Sequence, residues 1–179
     1  MDRTAGTYIL VVPPVWVAQE VSTVVDKQKI WIAGLVGTAL FALILDVLPT
    51  GGEPVNIALW DGSFVTLNLT IAVIIGYVLE FLIGVGLAFL YHKYWGFDRE
   101  RPAMRGLLFG LGTWIVFMVV GMPIFDAVSP LVQHGFLLGP GMFLWRIGIM
   151  APISWLIAAA AYGTTVGYMM ERPLPVFHR

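Results

Sequence analysis

Apolar residues in this chain run in long blocks, and polar ones gather in the short stretches between them. Four blocks stand out, at 30–48, 67–92, 105–125 and 142–170. Each is close to or above the ~20 residues an α-helix needs to cross hydrocarbon. The intervening stretches carry turn formers: Pro49-Thr-Gly-Gly, the run 96–102, Ser129-Pro130 and Gly139-Pro-Gly. The pattern predicts an all-α integral membrane protein, a bundle of four transmembrane helices. The fourth block contains Pro152, whose ring removes the hydrogen bond to the Gly148 carbonyl, so a kink is expected there.

Two further elements are expected outside the blocks. Residues 1–29 form an N-terminal segment in which "YILVVPPVWVA" is too short to span and is broken by Pro13-Pro14. A helix starting near Pro14 would align Val17, Val21, Val24 and Val25, lying in the membrane interface with Trp16 as anchor. In the first outer link, "NIALW-DG-SFVTL" places two apolar-rich runs around Asp61-Gly62, the pattern of a β-hairpin with a tight turn. Residues 171–179, "ERPLPVFHR", are expected to form a proline-rich, extended cytoplasmic tail, available to dock on a partner.

Composition sharpens the class. The 179 residues are 59% hydrophobic and 12% charged, about half the charged share of a soluble domain. With no cysteine, disulfides and thiolate metal sites are excluded. The net charge of −1 is less informative than its distribution. Arg3, Lys27 and Lys29 precede the first block, Lys93, Arg99, Arg101 and Arg105 surround the second link, and Arg172 and Arg179 follow the fourth. The two other links contain neither Lys nor Arg, and only Arg146 falls on the opposite side. The basic excess therefore predicts a plasma-membrane protein with both termini cytoplasmic.

Every block carries small residues at helical spacing, the signature of close helix packing in lipid. They are Gly34, Thr38 and Ala42; Gly76, Gly84 and Ala88; Gly106 and Gly110; and Ala159, Gly163 and Gly167. Glu80 sits within the second of these ridges, between Gly76 and Gly84. Counted from either end of its helix it lies about 18 Å in, at mid-membrane. Thr38, Thr113, Trp114, Ser154 and Trp155 fall at a similar depth, and no Lys or Arg does. An acid so placed is expected to carry a proton. It can serve as a proton or cation relay, or as a neutral donor joining helices through Thr38 or Ser154. Nearer the outer surface, Arg146 shares its level with Asp46 and Asp126, and an ion pair with one or both is expected.

Other chemistry finds no foothold. His92, His134 and His178 lie at different levels, so an internal bis-histidine haem is excluded and no cofactor or metal set is expected. There is no phosphate-cradling loop, paired acid or activated nucleophile. The link "KYWGFDRERPAMR" mixes its bases with acids, which suits lipid headgroups or protein better than nucleic acid.

The segments "RGLLFGLGTWIVFMVVGMPIFD" (105–126), "AGLVGTALFALILDVLP" (33–49), "GYVLEFLIGVGLAFLYHKY" (76–94) and "AAAAYGTTVGYMMER" (158–172) resemble small uncharacterised four-span prokaryotic membrane proteins, the YagU-like group and its relatives. The resemblance implies a four-helix membrane protein and supplies no catalytic residue. Members of that group often have histidine where this chain has Glu80. The expected function is a non-catalytic accessory subunit of a larger membrane assembly, most plausibly respiratory or electron-transfer, touching the lipid bilayer and other membrane subunits. The alternative is a small proton- or cation-coupled transporter or channel centred on Glu80.

Overall fold

The computed structural model describes residues 15–48, 56–95 and 101–171. Among them every regular element is helical. The long elements are α1 (Val15–Val47), α3 (Leu69–Trp95), α4 (Pro102–Val116) continuing into α5 (Met122–Val128), and α7 (Met150–Glu171). The short ones are α2 (Ile57–Gly62), α6 (Pro130–Gln133) and a 3-10 turn at Met142–Leu144. Three stretches are long and apolar enough to cross a membrane: Lys27–Val47, Leu69–Trp95 and Pro102–Val128. The residues 1–14, the turn at 49–55, the run 96–100 and the tail at 172–179 lie outside the described residues.

These helices are inside-out relative to those of a soluble bundle. On α3, Ala72, Gly76, Glu80, Gly84 and Ala88 are buried, while Ile71, Ile74, Val78 and Leu82 are exposed. Large apolar side chains face the lipid and small ones face the neighbouring helix, because in lipid close backbone approach drives association. α7 has 22 residues, enough to span, but it does not share the strong apolarity of the other three. It packs extensively on both α1 and α4, so its Ala, Gly, Thr and Tyr residues meet protein where the others meet lipid.

The expected ridges form the contacts. A Cβ on Gly163 would stand 2.1 Å from the Gly106 carbonyl oxygen, and one on Gly110 would stand 2.1 Å from that of Ala159. Gly34 meets Val85 and Ala88, and Gly84 meets Thr38. α1 and α7 form the middle of the bundle, with α3 on the far side of α1 and α4 on the far side of α7. α3 and α4 scarcely touch each other.

Three expectations need correction. The β-hairpin is absent: residues 57–62 form α2, and no strand occurs among the described residues. Asn56 caps it, its Oδ1 accepting the Leu59 N–H at 2.8 Å. Gly62 and Gly76 allow α2 to lie directly on α3; a Cβ on Gly62 would fall 1.7 Å from the Ala72 oxygen, and one on Gly76 1.5 Å from that of Ala58. Gly62 thus permits a close approach and is not among the positive-φ glycines that a hairpin turn of this type needs. A helix also satisfies more of its own backbone groups than an open two-stranded ribbon does.

The second correction concerns proline. Pro152 lies in the first turn of α7, where it kinks nothing, and residues 142–149 are a 3-10 turn and loop. The irregularity falls at Pro123. A five-residue π segment, Phe117–Gly121, ends two residues before it, closed by the Met122 N–H donating to the Phe117 carbonyl. Proline has no N–H for the Val119 carbonyl and its ring crowds that turn, so the helix widens by one residue. Third, the helix expected near Pro14 does begin at Val15, but it continues to Val47 as one element with the first span.

Candidate functional site

Because α3 and α4 touch only toward their inner ends, a cavity of about 90 Å3 opens between them farther out, floored by α1 and α7. Toward the inner ends of the two helices, Phe109 on α4 meets Tyr91 at 5.4 Å and Trp95 at 5.3 Å on α3. The cavity's outer end is closed by α2, which contributes Ile57 and Asp61 to the wall. α2 is held there by Trp60 against Phe125 at 5.3 Å. The wholly buried Ser63 hydroxyl donates to the Trp60 carbonyl at 2.6 Å and accepts from Ser129 Oγ at 2.8 Å. The rim reaches the surface of the bundle at Ile83, 42% exposed.

Glu80 forms part of the wall. It is 7% exposed, and its Oε1 is buried with no hydrogen-bond partner. The expected bond from Thr38 is not made: its Oγ1 donates to the Gly34 carbonyl at 2.8 Å. Thr113 likewise donates to its own helix, at the Gly110 carbonyl, 2.8 Å. Ser154 is buried on α7 but does not line the cavity. Of the residues expected at this depth, Thr38, Thr113, Trp114 and Trp155 do line it. The carbonyl-directed threonines show why equal depth did not translate into bonding. A threonine inside a helix has its own i−3 or i−4 carbonyl within reach.

Two residues join the site unexpectedly. Asp61 faces the same cavity, and Tyr162 contributes its ring while its hydroxyl donates to the Gly84 carbonyl. Asp61 was legible as part of an amphipathic turn: Asn56 in cap position precedes Ile57 and Trp60, three apart. Asp46 borders a small second space of about 10 Å3 on the other side of Glu80, together with Asn56 and Tyr77. Asp61 and Asp46 thus each border a space that Glu80 also borders. No Lys, Arg or His lines either space.

The outer ion pair forms with one of its two expected partners. Arg146 Nη1 lies 3.1 Å from Asp126 Oδ2, with Arg146 59% exposed. So exposed a pair contributes at most about 1 kcal/mol. Asp46 takes no part in it and faces Glu80's side instead. Among the described residues no group of three His, Cys, Asp or Glu side chains could hold a metal ion.

Asp61 belongs to the link helix, outside the spans, and burial pushes its carboxyl up to about 7. The sign of its effect follows. Between pH 4 and 7 the unfolded chain loses this proton and the folded chain keeps it, so the folded state is progressively weakened as pH rises. Asp61→Asn should raise Tm in detergent by roughly 5 °C at pH 7.5, and its advantage over wild type should vanish by pH 4. A constant advantage across that range would mean the carboxyl is solvated.

Set against models of protein families, curated proteins and solved structures, the chain has no match in any of the three.

Proposed function

We propose that this chain is a small proton- or cation-coupled transporter or channel whose working group is Glu80. The observation that carries the reading is an intramembrane carboxyl with an unpartnered oxygen on the wall of a cavity. A purely structural acid would bond across to a neighbouring helix, since an unmet polar atom in a dry interior costs about 1–3 kcal/mol. A group kept in that state is available to a proton or a cation, and an ionisable residue inside a membrane is a functional candidate for this reason. The protein itself does no covalent chemistry. It crosses the plasma membrane four times, with α7 as the fourth span and both termini cytoplasmic, in keeping with the placement of its basic residues. The likeness to YagU-like proteins agrees with that architecture and leaves the activity open.

The test is proton uptake into sealed vesicles containing the purified protein and a pH-sensitive dye. An imposed pH gradient should collapse faster than in protein-free vesicles. A hydrophobic carbodiimide, which modifies protonated carboxyls from the lipid side, should block this and add its mass to the Glu80 peptide. Gradient decay equal to that of empty vesicles would remove the reading.

A second reading, the accessory subunit of a respiratory or other electron-transfer assembly, has one support in the fold. α1 has 33 residues, about 50 Å of helix against ~30 Å of hydrocarbon. One end therefore extends well beyond the lipid, where another subunit could hold it. On a native gel after mild solubilisation, a subunit would migrate with its assembly; the transporter reading expects a discrete monomer or homodimer.

A further inference from the structure

The walls of the cavity specify what it would hold. Four of its polar side chains could donate hydrogen bonds, and each is already committed to a backbone carbonyl: Thr38 to Gly34, Thr113 to Gly110, Trp114 to Pro152 and Tyr162 to Gly84. Trp155 is the one further donor-bearing wall residue, its ring T-shaped against Phe41. Against these stand two carboxyls, Glu80 and Asp61, with Glu80 Oε1 buried and unmet. Once its carboxyls have given up their protons, the cavity thus accepts hydrogen bonds and offers almost none. That excludes anions and favours a cation that brings its own N–H groups.

Two further features narrow the cation. The donors of Trp114 and Tyr162 point away to carbonyls, so these side chains offer the cavity mainly ring surface, and aromatic faces attract weakly hydrated cations. A metal ion would need several oxygens to replace its water shell, and no ligating cluster exists among the described residues. Size sets the upper limit. A cavity of roughly 150 Å3 takes the six carbons of benzene, so one of about 90 Å3 admits a group of about three or four heavy atoms.

We infer that the cargo is a small alkylammonium ion, its ammonium group on Glu80 and Asp61 and its carbon chain between the rings of Phe41, Trp114 and Trp155. This rests on the transporter reading above and specifies its substrate. The exchange balances simply: the ammonium binds as Glu80 gives up its proton, so one positive charge replaces another. The titratable groups around Glu80 are Asp61 on α2, Asp46 on α1, Tyr77 on α3 and Tyr162 on α7. None is basic, so no built-in cation competes with the ligand.

The experiment measures protons released when ethylammonium chloride is added to the full-length protein in weakly buffered detergent solution. Release should saturate at about one proton per chain, and sodium chloride at equal ionic strength should release none. The apparent Kd should rise about tenfold for each pH unit lowered through the range where Glu80 binds its proton. Glu80→Gln should abolish release, Asp61→Asn should weaken binding several-fold, and Trp114→Leu about fivefold while Trp114→Phe stays near wild type. Carbodiimide-treated wild-type protein should also release nothing, which covers a Glu80→Gln variant that fails to fold. If ethylammonium releases no more than sodium while vesicles still show carbodiimide-sensitive proton flux, the cargo assignment is wrong and the transporter reading survives. If both signals are missing, both fall.

Discussion

Glu80→Gln lowers gradient-driven proton uptake at least ~30-fold while leaving a folded, monodisperse protein. The first half follows from chemistry: glutamine has nearly the same volume and polarity but cannot release a proton. The second follows from the geometry, because Glu80 Oε1 has no partner to lose. Where a buried ion pair is cut, the abandoned partner makes the change costly by about 3–5 kcal/mol. No such partner lines either space beside Glu80, so Tm should stay within a few degrees of wild type or rise. Glu80→Asp makes the complementary test. It keeps the acid but withdraws it by one methylene, and uptake should fall by about tenfold instead of vanishing. Wild-type uptake from Glu80→Gln would reassign Glu80 to structure alone.

The largest stability effect should come from a single methyl group on α7. Gly163→Ala would place its Cβ 2.1 Å from the Gly106 oxygen and 2.7 Å from the Gly110 nitrogen. Both are backbone atoms of α4, so no side chain can swing aside and the helices must part. Separation loosens the most extensive helix contact in the bundle, and we expect a loss of about 2–3 kcal/mol, at the upper end of overpacking costs. Gly163→Leu should not yield a monodisperse protein. Gly112 supplies the control on α4, since a Cβ there meets nothing within 4 Å. Gly112→Ala should be neutral or stabilising by up to about 1 kcal/mol, the helix-propensity difference between the two residues. Equal losses from Gly163→Ala and Gly112→Ala would mean that propensity, and not contact, governs both. Thermal unfolding in detergent reads all three.

How far such features could be read beforehand depended on whether they were local or lateral. The three apolar spans and the small-residue ridges were legible because both are written at fixed spacing along one helix. Depth was legible in part: counting residues from the helix ends brought Thr38, Thr113, Trp114, Ser154 and Trp155 to the level of Glu80, and all but Ser154 line its cavity. The two outer-link errors share a cause. Asp61-Gly62 is a strong local turn signal, but Gly62 answers to Ala72 on another element, and tertiary contact overrides a dipeptide preference. With the link read as a ribbon, Asp61 falls in its tight turn and is left out of the site. Proline was judged from its position in an apolar block. Pro152 proved to stand in the first turn of α7, where proline is harmless, whereas Pro123 stands inside a continuous helix and enforces the π segment. The cavity itself was not legible, since it arises where α3 and α4, in contact toward their inner ends, fail to meet farther out.

That failure to meet has a consequence for access. A space whose rim lies at Ile83, on the flank of the bundle, is approached sideways through acyl chains. An amine can therefore enter from the bilayer as its neutral base and take its proton from Glu80 on arrival, so the lipid acts as a reservoir that concentrates greasy amines. Among homologous amines, the rate of entry should then follow oil–water partitioning of the neutral base until chain length outgrows the chamber.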